Sequence, residues 1–145
     1  MTGPSDLAAR AAETLDRTLG FELLEAGEEH ARGRFKVTDS VRQPMGIVHG
    51  GAYAAMAESL ASAATYMAVS GEGMAAMGQQ NDTSFLRPVS SGSIHAEARR
   101  RHRGRTTWVW EIDFTDDDGR LCAVSRVTTA VRPAPGGPPA RPYGR

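Results

Sequence analysis

The stretch Gly50–Val69, GGAYAAMAESLASAATYMAV, decides the fold, because it predicts a helix inside the protein. Eight of its twenty residues are alanine, and Glu58 is its only charged residue. A helix that is apolar nearly all round is typical of a protein interior rather than a surface. Its small side chains also allow strands to pack closely around it. We therefore predict a central helix that carries one buried carboxylate.

Short strands are predicted on both sides of this helix. Two precede it and four follow it, at residues 21–28, 31–38, 75–86, 93–103, 106–115 and 121–131. The fifth strand alternates clearly, and its predicted inner face carries Trp108, Trp110, Ile112 and Phe114. The joints between the last four strands are short and turn-like, which favours antiparallel pairing. We predict that these four strands form an antiparallel meander.

The two ends of the chain are predicted to differ from this pattern. Residues 7–19 have a weak helical spacing of apolar side chains, which predicts a short N-terminal helix. Residues 133–145 hold five of the eight prolines and three glycines, which predicts a disordered tail. A chain of 145 residues suits one domain, which we place at residues 1–132.

The overall composition argues against several classes of protein. Seventeen basic and seventeen acidic residues cancel, so no net charge draws the chain to nucleic acid or an anionic membrane. No stretch approaches the ~18 apolar residues of a membrane span, and residues 1–10 lack a signal-peptide pattern. We expect a cytoplasmic protein without metal or cofactor. Cys122, the single cysteine, lies in an apolar run that favours a buried, inert thiol.

Gly50 and Gly51 begin the predicted helix and suit the binding of a negatively charged oxygen. Their backbone N–H groups lack partners within the helix and lie at the positive end of its dipole. Glycine also lets a ligand approach the backbone closely. An acyl carbonyl bound there would have its developing oxyanion stabilised. The alternative is a plain glycine-rich loop that enters a helix.

Glu58 is the strongest candidate for a catalytic group. A lone carboxylate on an apolar helix is costly to bury unless it is paired or functional. The alternative is a structural glutamate that reaches a hydrogen bond or the edge of the molecule. Gly50 and Glu58 are eight residues apart, or ~12 Å along a helix. Since one helix cannot easily bring both groups to one carbonyl, we predict active sites shared between two antiparallel helices of a homodimer.

The segment from Gln43 to Ser62 closely resembles the hotdog-fold acyl-CoA thioesterases. The likeness is greatest to the 4-hydroxybenzoyl-CoA branch and the phenylacetate-pathway thioesterases. It rests on the His-Gly-Gly helix start, the acid eight residues after the first glycine and the later strand NDTSFLRPV at 81–89, and it covers roughly residues 21–132. It implies an α+β hotdog fold, in which a curved antiparallel sheet of five to six strands wraps a long central helix and a short N-terminal helix precedes it.

The resemblance implies hydrolysis of an acyl- or aryl-CoA thioester to the free acid and coenzyme A. Glu58 would attack the carbonyl or activate a water, and the sequence leaves both roles open. Gln43 would bind the thioester carbonyl through its amide, unless it is an ordinary loop residue. His49 would orient the loop or contact substrate, unless it only bonds the backbone at the helix start. Ser62, one turn beyond Glu58, could hold the carboxylate or the water, or simply pack.

Further candidates would bind the rest of the substrate. Arg87 matches a family position that meets the nucleotide phosphates, and Thr106 and Thr107 supply hydroxyl donors. Gly51 and Asn81 are also predicted substrate contacts. The basic run at 99–105 could add phosphate contacts, although a solvated strand end is the favoured explanation for any single arginine of this run.

Two rival functions remain open on the sequence. One is a non-catalytic acyl-CoA-binding domain of the same fold. The other is a hotdog hydratase or dehydratase of enoyl thioesters, which would pair a histidine with an acid. For the thioesterase we expect an acyl-CoA substrate, no nucleic acid and no membrane, and a homodimer with shared active sites that could assemble further into a tetramer.

Overall fold

The computed structural model of the chain describes residues 14–136 and places one long helix against a curved six-stranded antiparallel sheet. The elements in chain order are α1 (Leu15–Thr18), β1 (Glu22–Ala26), β2 (His30–Lys36), α2 (Gly50–Val69), β3 (Met74–Phe85), β4 (Ser93–Arg103), β5 (Thr107–Thr115) and β6 (Leu121–Pro133). Short 3-10 turns lie at Asp39–Val41 and Ser70–Glu72.

The bounds of the long helix agree with the prediction, since α2 runs from Gly50 to Val69. Of the predicted N-terminal helix, the described part is α1, and residues 7–13 lie outside the described residues. Ser59 of α2 donates a hydrogen bond to Asp16 of α1, with 2.6 Å between Oγ and Oδ1. β6 ends at Pro133, the first residue of the predicted tail, and residues 137–145 lie outside the description.

β5 has the predicted alternation, and its inner face forms the centre of the core. The side chains of Trp108, Trp110, Ile112 and Phe114 are all buried. Ala57, Leu60, Ala61 and Ala64 of α2 are buried in the same apolar cluster. Their small size permits close packing of the helix on the sheet, as the alanine content predicts.

The expectation that α2 is buried all round is wrong for the single chain. The sheet covers one side of the helix only, and Ala54, Ala55 and Ser62 remain partly exposed on the other. Glu58 is exposed as well, so its predicted burial is also wrong for the single chain. A single curved sheet can pack against only one side of a helix.

The predicted meander is correct for β4, β5 and β6 and wrong for β3. The strand order is β1-β2-β4-β5-β6-β3, so β3 pairs with β6 and β2 takes the place beside β4. The link between β3 and β4 covers residues 86–92, and seven residues can span up to ~23 Å. β3 and β4 are three positions apart in the sheet, a distance of only ~14 Å. A short link therefore permits a crossover over the end of the sheet.

β3 is an edge strand with an unusual amount of exposed surface. It is twelve residues long and pairs with β6 on one side. Met77 and Phe85 are exposed by 53% and 58%. The opposite side of β3 therefore presents backbone N–H and C=O groups that can pair with another strand.

Within residues 14–136 no helix is both long enough and apolar enough to cross a membrane.

Candidate active site

An open groove of about 370 Å³ lies between α2 and β3. Its lining residues are Ala54, Ala55, Glu58, Asn81, Thr83 and Phe85. Two predicted site residues, Glu58 and Asn81, thus come together. Thr83 and Phe85 were not predicted individually, although both lie in the strand that carries the family resemblance. The signal for Phe85 was a large aromatic residue in an otherwise polar stretch of β3.

The carboxylate of Glu58 makes no hydrogen bond or ion pair with any residue of the described chain. Its side chain lies directly against Gly78 of β3. An exposed, unpaired carboxylate at the wall of a groove can accept a proton from a water or attack a bound carbonyl carbon.

Asn81 connects β3 to α2. Its Nδ2 donates to the backbone oxygen of Ala54 at 2.8 Å, and its Oδ1 accepts from the hydroxyl of Thr83 at 2.7 Å. Thr83 in turn shares a 2.8 Å hydrogen bond with Ser125 of β6. The amide of Asn81 therefore makes one hydrogen bond within the chain through each of its polar atoms, and a substrate contact would use its second N–H or the second lone pair of its oxygen.

His49 caps the start of α2 through its side chain. Its Nδ1 accepts a hydrogen bond from the backbone N–H of Gly51 at 2.8 Å. This is the alternative of a helix-start histidine bonded to backbone, and it occupies the Gly51 donor. The N–H of Gly50 has no acceptor among residues 14–136. Of the two glycines, Gly50 is thus the one whose backbone N–H remains available to a ligand.

The ring of Phe85 packs onto Gly50. A Cβ built on Gly50 would lie 2.6 Å from Cζ of this ring, so a side chain at position 50 would have to displace it. Phe85 also contacts Tyr53, with 6.2 Å between the ring centroids. Burial raises the pKa of Tyr53 to about 12. The tyrosine is therefore a neutral wall beneath Phe85 rather than a source of charge.

Gln43 lies in a tight loop that ends at the start of α2. Its side-chain oxygen accepts a hydrogen bond from the Met45 backbone N–H, and its backbone oxygen accepts from Gly46 at 2.9 Å. Gly46 has a φ of 86°, which favours glycine. The Nε2 of Gln43 has no acceptor within the described residues. It is therefore available to donate to a carbonyl, and the predicted role of Gln43 stays a prediction.

Ser62 lies one turn after Glu58. Its Oγ is buried and has no hydrogen-bond partner among the described residues. The single chain therefore places no contact between this hydroxyl and Glu58, and the predicted role of Ser62 stays a prediction.

The predicted phosphate contacts are not brought together within one chain. Arg87 follows the end of β3, is exposed, and has no side-chain partner in residues 14–136. Thr107 pairs with Ala130 of β6, which pairs with Met77 near the start of β3. Met77 and Phe85 are eight residues apart, or roughly 25 Å along a strand. Arg87 therefore cannot share a phosphate with Thr106 and Thr107 of its own chain.

The basic run at 99–105 mostly faces acidic residues. Arg100 lies 3.3 Å from a carboxylate oxygen of Glu28, Arg103 also pairs with Glu28, and Arg101 lies 3.4 Å from Glu111. These pairs match the alternative of a solvated strand end.

The acidic turn Asp116–Gly119 joins β5 to β6 and is stabilised by local hydrogen bonds to Asp116. Oδ1 of Asp116 accepts hydrogen bonds from the backbone N–H groups of Asp118 and Arg120, at 2.9 Å each. The hydrogen bond from the Arg120 backbone lowers the pKa of Asp116, and the hydrogen bond from the Arg120 side chain lowers it further.

Nearby Cys122 is buried as predicted, and this burial raises the pKa of its thiol. Among the described residues, no His, Cys, Asp and Glu side chains form a group that could hold a metal ion.

Comparison with known proteins points to one family. A family model described as thioesterase superfamily matches residues 45–123. The proofreading thioesterase EntH of Cronobacter turicensis is 37% identical over 125 residues, which cover 86% of this chain and 90% of EntH.

Two solved structures resemble the fold closely. The structure of a glutamine-to-alanine variant of thioesterase PA1618 from Pseudomonas aeruginosa has a TM-score of 0.83 and 34% identity, covering 90% of this chain and 94% of that chain. Thioesterase SAV0944 from Staphylococcus aureus has a TM-score of 0.78 and 28% identity, covering 82% of this chain and 98% of that chain. Variants of SAV0944 in which alanine replaces a glutamine or a glutamate have been crystallised.

Proposed function

This chain belongs to the thioesterase superfamily and is a thioester hydrolase, and from that premise we propose that it cleaves an acyl- or aryl-CoA thioester to the free acid and coenzyme A. The unpaired carboxylate of Glu58 at the wall of the groove carries this proposal. Coenzyme A is part of the substrate, so the proposed reaction needs no further cofactor. The proposed location is the cytoplasm, where acyl-CoA esters are available.

The substitutions in the Staphylococcus aureus relative support the choice of Gln43 and Glu58. The glutamine and glutamate replaced there are as far apart in sequence as Gln43 and Glu58 are here. We propose that these two residues act on the same thioester, Gln43 through its Nε2 donor and Glu58 through its carboxylate.

The proposed reaction adds water across the C–S bond. In the general-base route, Glu58 takes a proton from water while the oxygen adds to the carbonyl carbon. The N–H of Gly50 and the amide of Gln43 stabilise the oxyanion. Collapse of this intermediate breaks the C–S bond, and the leaving thiolate receives the proton from Glu58. In the nucleophilic route, a Glu58 oxygen adds to the carbonyl carbon and the C–S bond breaks, which releases the coenzyme A thiolate and leaves a mixed anhydride. Water then hydrolyses this anhydride to the free acid and the Glu58 carboxylate, and the proton released from water goes to the thiolate.

We propose that each active site combines two chains. Gly50 and Glu58 lie ~12 Å apart along α2, too far to act on one carbonyl. The exposed edge of β3 offers a place where a second copy could pair and continue the sheet. A twofold axis there would bring the Gln43 and Gly50 end of one α2 towards Glu58 of the other. The homodimer is the smallest unit with complete sites, and a tetramer would contain two such dimers.

Hydrolysis assays on a set of CoA esters test the proposed function. Aryl, short-chain and medium-chain acyl-CoA esters are incubated with the protein, and thiol release is measured. We expect at least one class to be hydrolysed with a kcat/KM of roughly 10⁴ M⁻¹s⁻¹ or more, at the lower end of ordinary enzymes. Tight binding of these esters without thiol release would support the non-catalytic alternative instead.

Glu58→Gln tests the catalytic residue. The amide keeps the size of the side chain but can neither accept a proton from water nor attack a carbonyl. We expect kcat to fall about 100-fold or more, corresponding to ~3 kcal/mol of activation free energy, with an unchanged circular dichroism spectrum. Asp82→Asn, an exposed acid on the same strand as the groove residue Asn81, is the control and should retain full activity. A wild-type rate for Glu58→Gln would remove Glu58 from the mechanism.

A further inference from the structure

β3 places a glycine directly behind the carboxyl group of Glu58. A Cβ built on Gly78 would lie 2.5 Å from Oε1, 2.8 Å from Cγ and 2.9 Å from Cδ of Glu58. Two unbonded atoms of this kind are not found so close together. Any residue other than glycine at position 78 would therefore displace the side chain of Glu58.

The backbone does not require a glycine at position 78. The glycines with positive φ in residues 14–136 are at other positions, so Gly78 has a conformation open to any residue. Glycine also weakens a strand, because it loses more conformational freedom on folding than other residues do. A bulge follows it, since Gly78 pairs with Thr129 and Gln80 with Thr128. The contact with Glu58 is a close approach of the kind that a glycine in a strand permits.

A second residue of β3 acts on the backbone of the same helical turn. Nδ2 of Asn81 donates to the backbone oxygen of Ala54 at 2.8 Å. In an α-helix this oxygen also accepts the N–H of the residue four positions later, which is Glu58. β3 therefore contacts both the helical turn and the side chain of the proposed catalytic acid.

We propose that Gly78 is a positioning residue for thioester hydrolysis. Its missing side chain leaves the space in which the carboxyl group of Glu58 lies, so that β3 sets the direction of this group along the groove. The inference rests on the proposed function, because it requires Glu58 to act on the substrate. Its expected effect is large, since a displacement of ~1 Å in a catalytic group can lower a rate about 100-fold.

Gly78→Ala tests this inference, and Gly71→Ala is the matched control. A Cβ at Gly71 would meet no atom within 4 Å, and its φ is not positive, so the control adds the same methyl group in open space. For Gly78→Ala we expect kcat to fall about 10-fold or more and KM to change less than about twofold, because only the chemical step loses its aligned acid. Gly71→Ala should keep the wild-type kcat.

Thermal unfolding in two backgrounds separates positioning from a plain structural role. Glu58→Ala removes the three atoms that would lie nearest to the new methyl group. Gly78→Ala should therefore change the Tm less favourably in the wild type than in Glu58→Ala, where the methyl group meets no carboxyl group. An equal change of the Tm in both backgrounds would overturn the inference. If Gly78→Ala alone does not fold, the double variant is compared with Glu58→Ala, and failure of both Gly78→Ala proteins to fold overturns it as well.

The activities distinguish failure of this inference from failure of the proposed function. If Glu58→Gln is inactive and Gly78→Ala has the same kcat as Gly71→Ala, the positioning role of Gly78 is overturned and the role of Glu58 stands. If Glu58→Gln hydrolyses its best substrate at the wild-type rate, both proposals are overturned.

Discussion

At the start of α2, some hydrogen-bonding groups are engaged within the chain and others are available to a substrate. His49 uses its ring nitrogen to bind the Gly51 N–H, which stabilises the helix start and removes one of two possible oxyanion donors. Gly50 keeps a free N–H in the described chain. The amide oxygen of Gln43 likewise accepts a hydrogen bond from the Met45 backbone N–H, and Nε2 of Gln43 stays available. The backbone N–H of Gly50 and Nε2 of Gln43 could therefore both donate to a substrate carbonyl.

Arg87 provides a prediction on substrate binding at this scale. Its guanidinium is exposed and has no side-chain partner within residues 14–136, so a phosphate of coenzyme A could bind it without breaking an ion pair. Arg87→Ala should raise KM for a CoA ester about 10-fold, or ~1.4 kcal/mol, with little change in kcat.

A truncated ester and a paired arginine are the controls for Arg87. A pantetheine ester lacks the nucleotide phosphates, so Arg87→Ala should leave its KM unchanged. Arg32 of β2 forms a 2.9 Å ion pair with Glu25 of β1, at the opposite end of the sheet from β3. Arg32→Ala should therefore leave KM unchanged for both esters. An equal rise of KM for the CoA and pantetheine esters would contradict the phosphate contact.

At the scale of elements, α2 is joined to the sheet by a buried polar cluster as well as by apolar packing. The hydroxyl of Thr65 accepts from Nε1 of Trp110 at 2.9 Å, donates to the backbone oxygen of Ala61 at 2.8 Å, and lies 3.1 Å from the hydroxyl of Thr129. Thr65 and Thr129 are fully buried. One helix residue therefore connects α2 with both β5 and β6.

Thr65→Val should destabilise the protein through this cluster. Valine has nearly the same shape, but it leaves the N–H of Trp110 without a partner in the core. An unsatisfied buried donor costs about 1–3 kcal/mol, so the free energy of unfolding should fall by that amount. Denaturant unfolding at fixed protein concentration measures it. Thr38→Val is the control, because Thr38 is exposed and its side chain makes no capping hydrogen bond to the 3-10 turn that follows it. An equal effect there would contradict the explanation.

At the scale of the whole molecule, the single chain leaves its proposed site incomplete. The Gly50 end of α2 and the Glu58 carboxylate lie too far apart for one carbonyl, and the outer edge of β3 has no partner strand among residues 14–136. The partly exposed side of α2 forms one wall of the groove, and both are open to solvent. A second copy placed there would explain all three features.

Complementation between two inactive variants tests the shared site. Glu58→Gln lacks the acid, and Gly50→Pro lacks the N–H donor at the first residue of the helix, where the backbone suits proline. Mixed and re-associated, they should form heterodimers with one complete site. We expect activity up to about a quarter of wild type, because random exchange makes half of the dimers mixed and half of their sites complete.

Gly50→Ala separates the lost donor from the added bulk. Alanine and proline both bring a Cβ against the ring of Phe85, but only proline removes the N–H. Gly50→Ala should therefore be more active than Gly50→Pro. Each inactive variant crosslinked to itself should stay inactive. The absence of recovered activity despite demonstrated subunit exchange would mean that each site lies within one chain.

Much of the fold could be predicted from neighbouring residues alone. Spacings of a few residues predict the bounds of α2, its single acid and the alternation of β5, because helix and strand periods are local properties. The same holds for the acidic turn before β6, where Asp116 binds backbone donors two and four residues away.

Tertiary structure alone decided where β3 pairs, how exposed Glu58 is in the chain, and how far Arg87 lies from Thr107. It also placed Gly78 behind the carboxyl group of Glu58, twenty residues away in sequence. These features depend on which distant segments meet, and a seven-residue link permits either a neighbouring strand or a crossover. Local sequence determined the elements and the acid, whereas long-range packing determined the surroundings of that acid, because contacts between distant segments leave no periodic pattern in the chain.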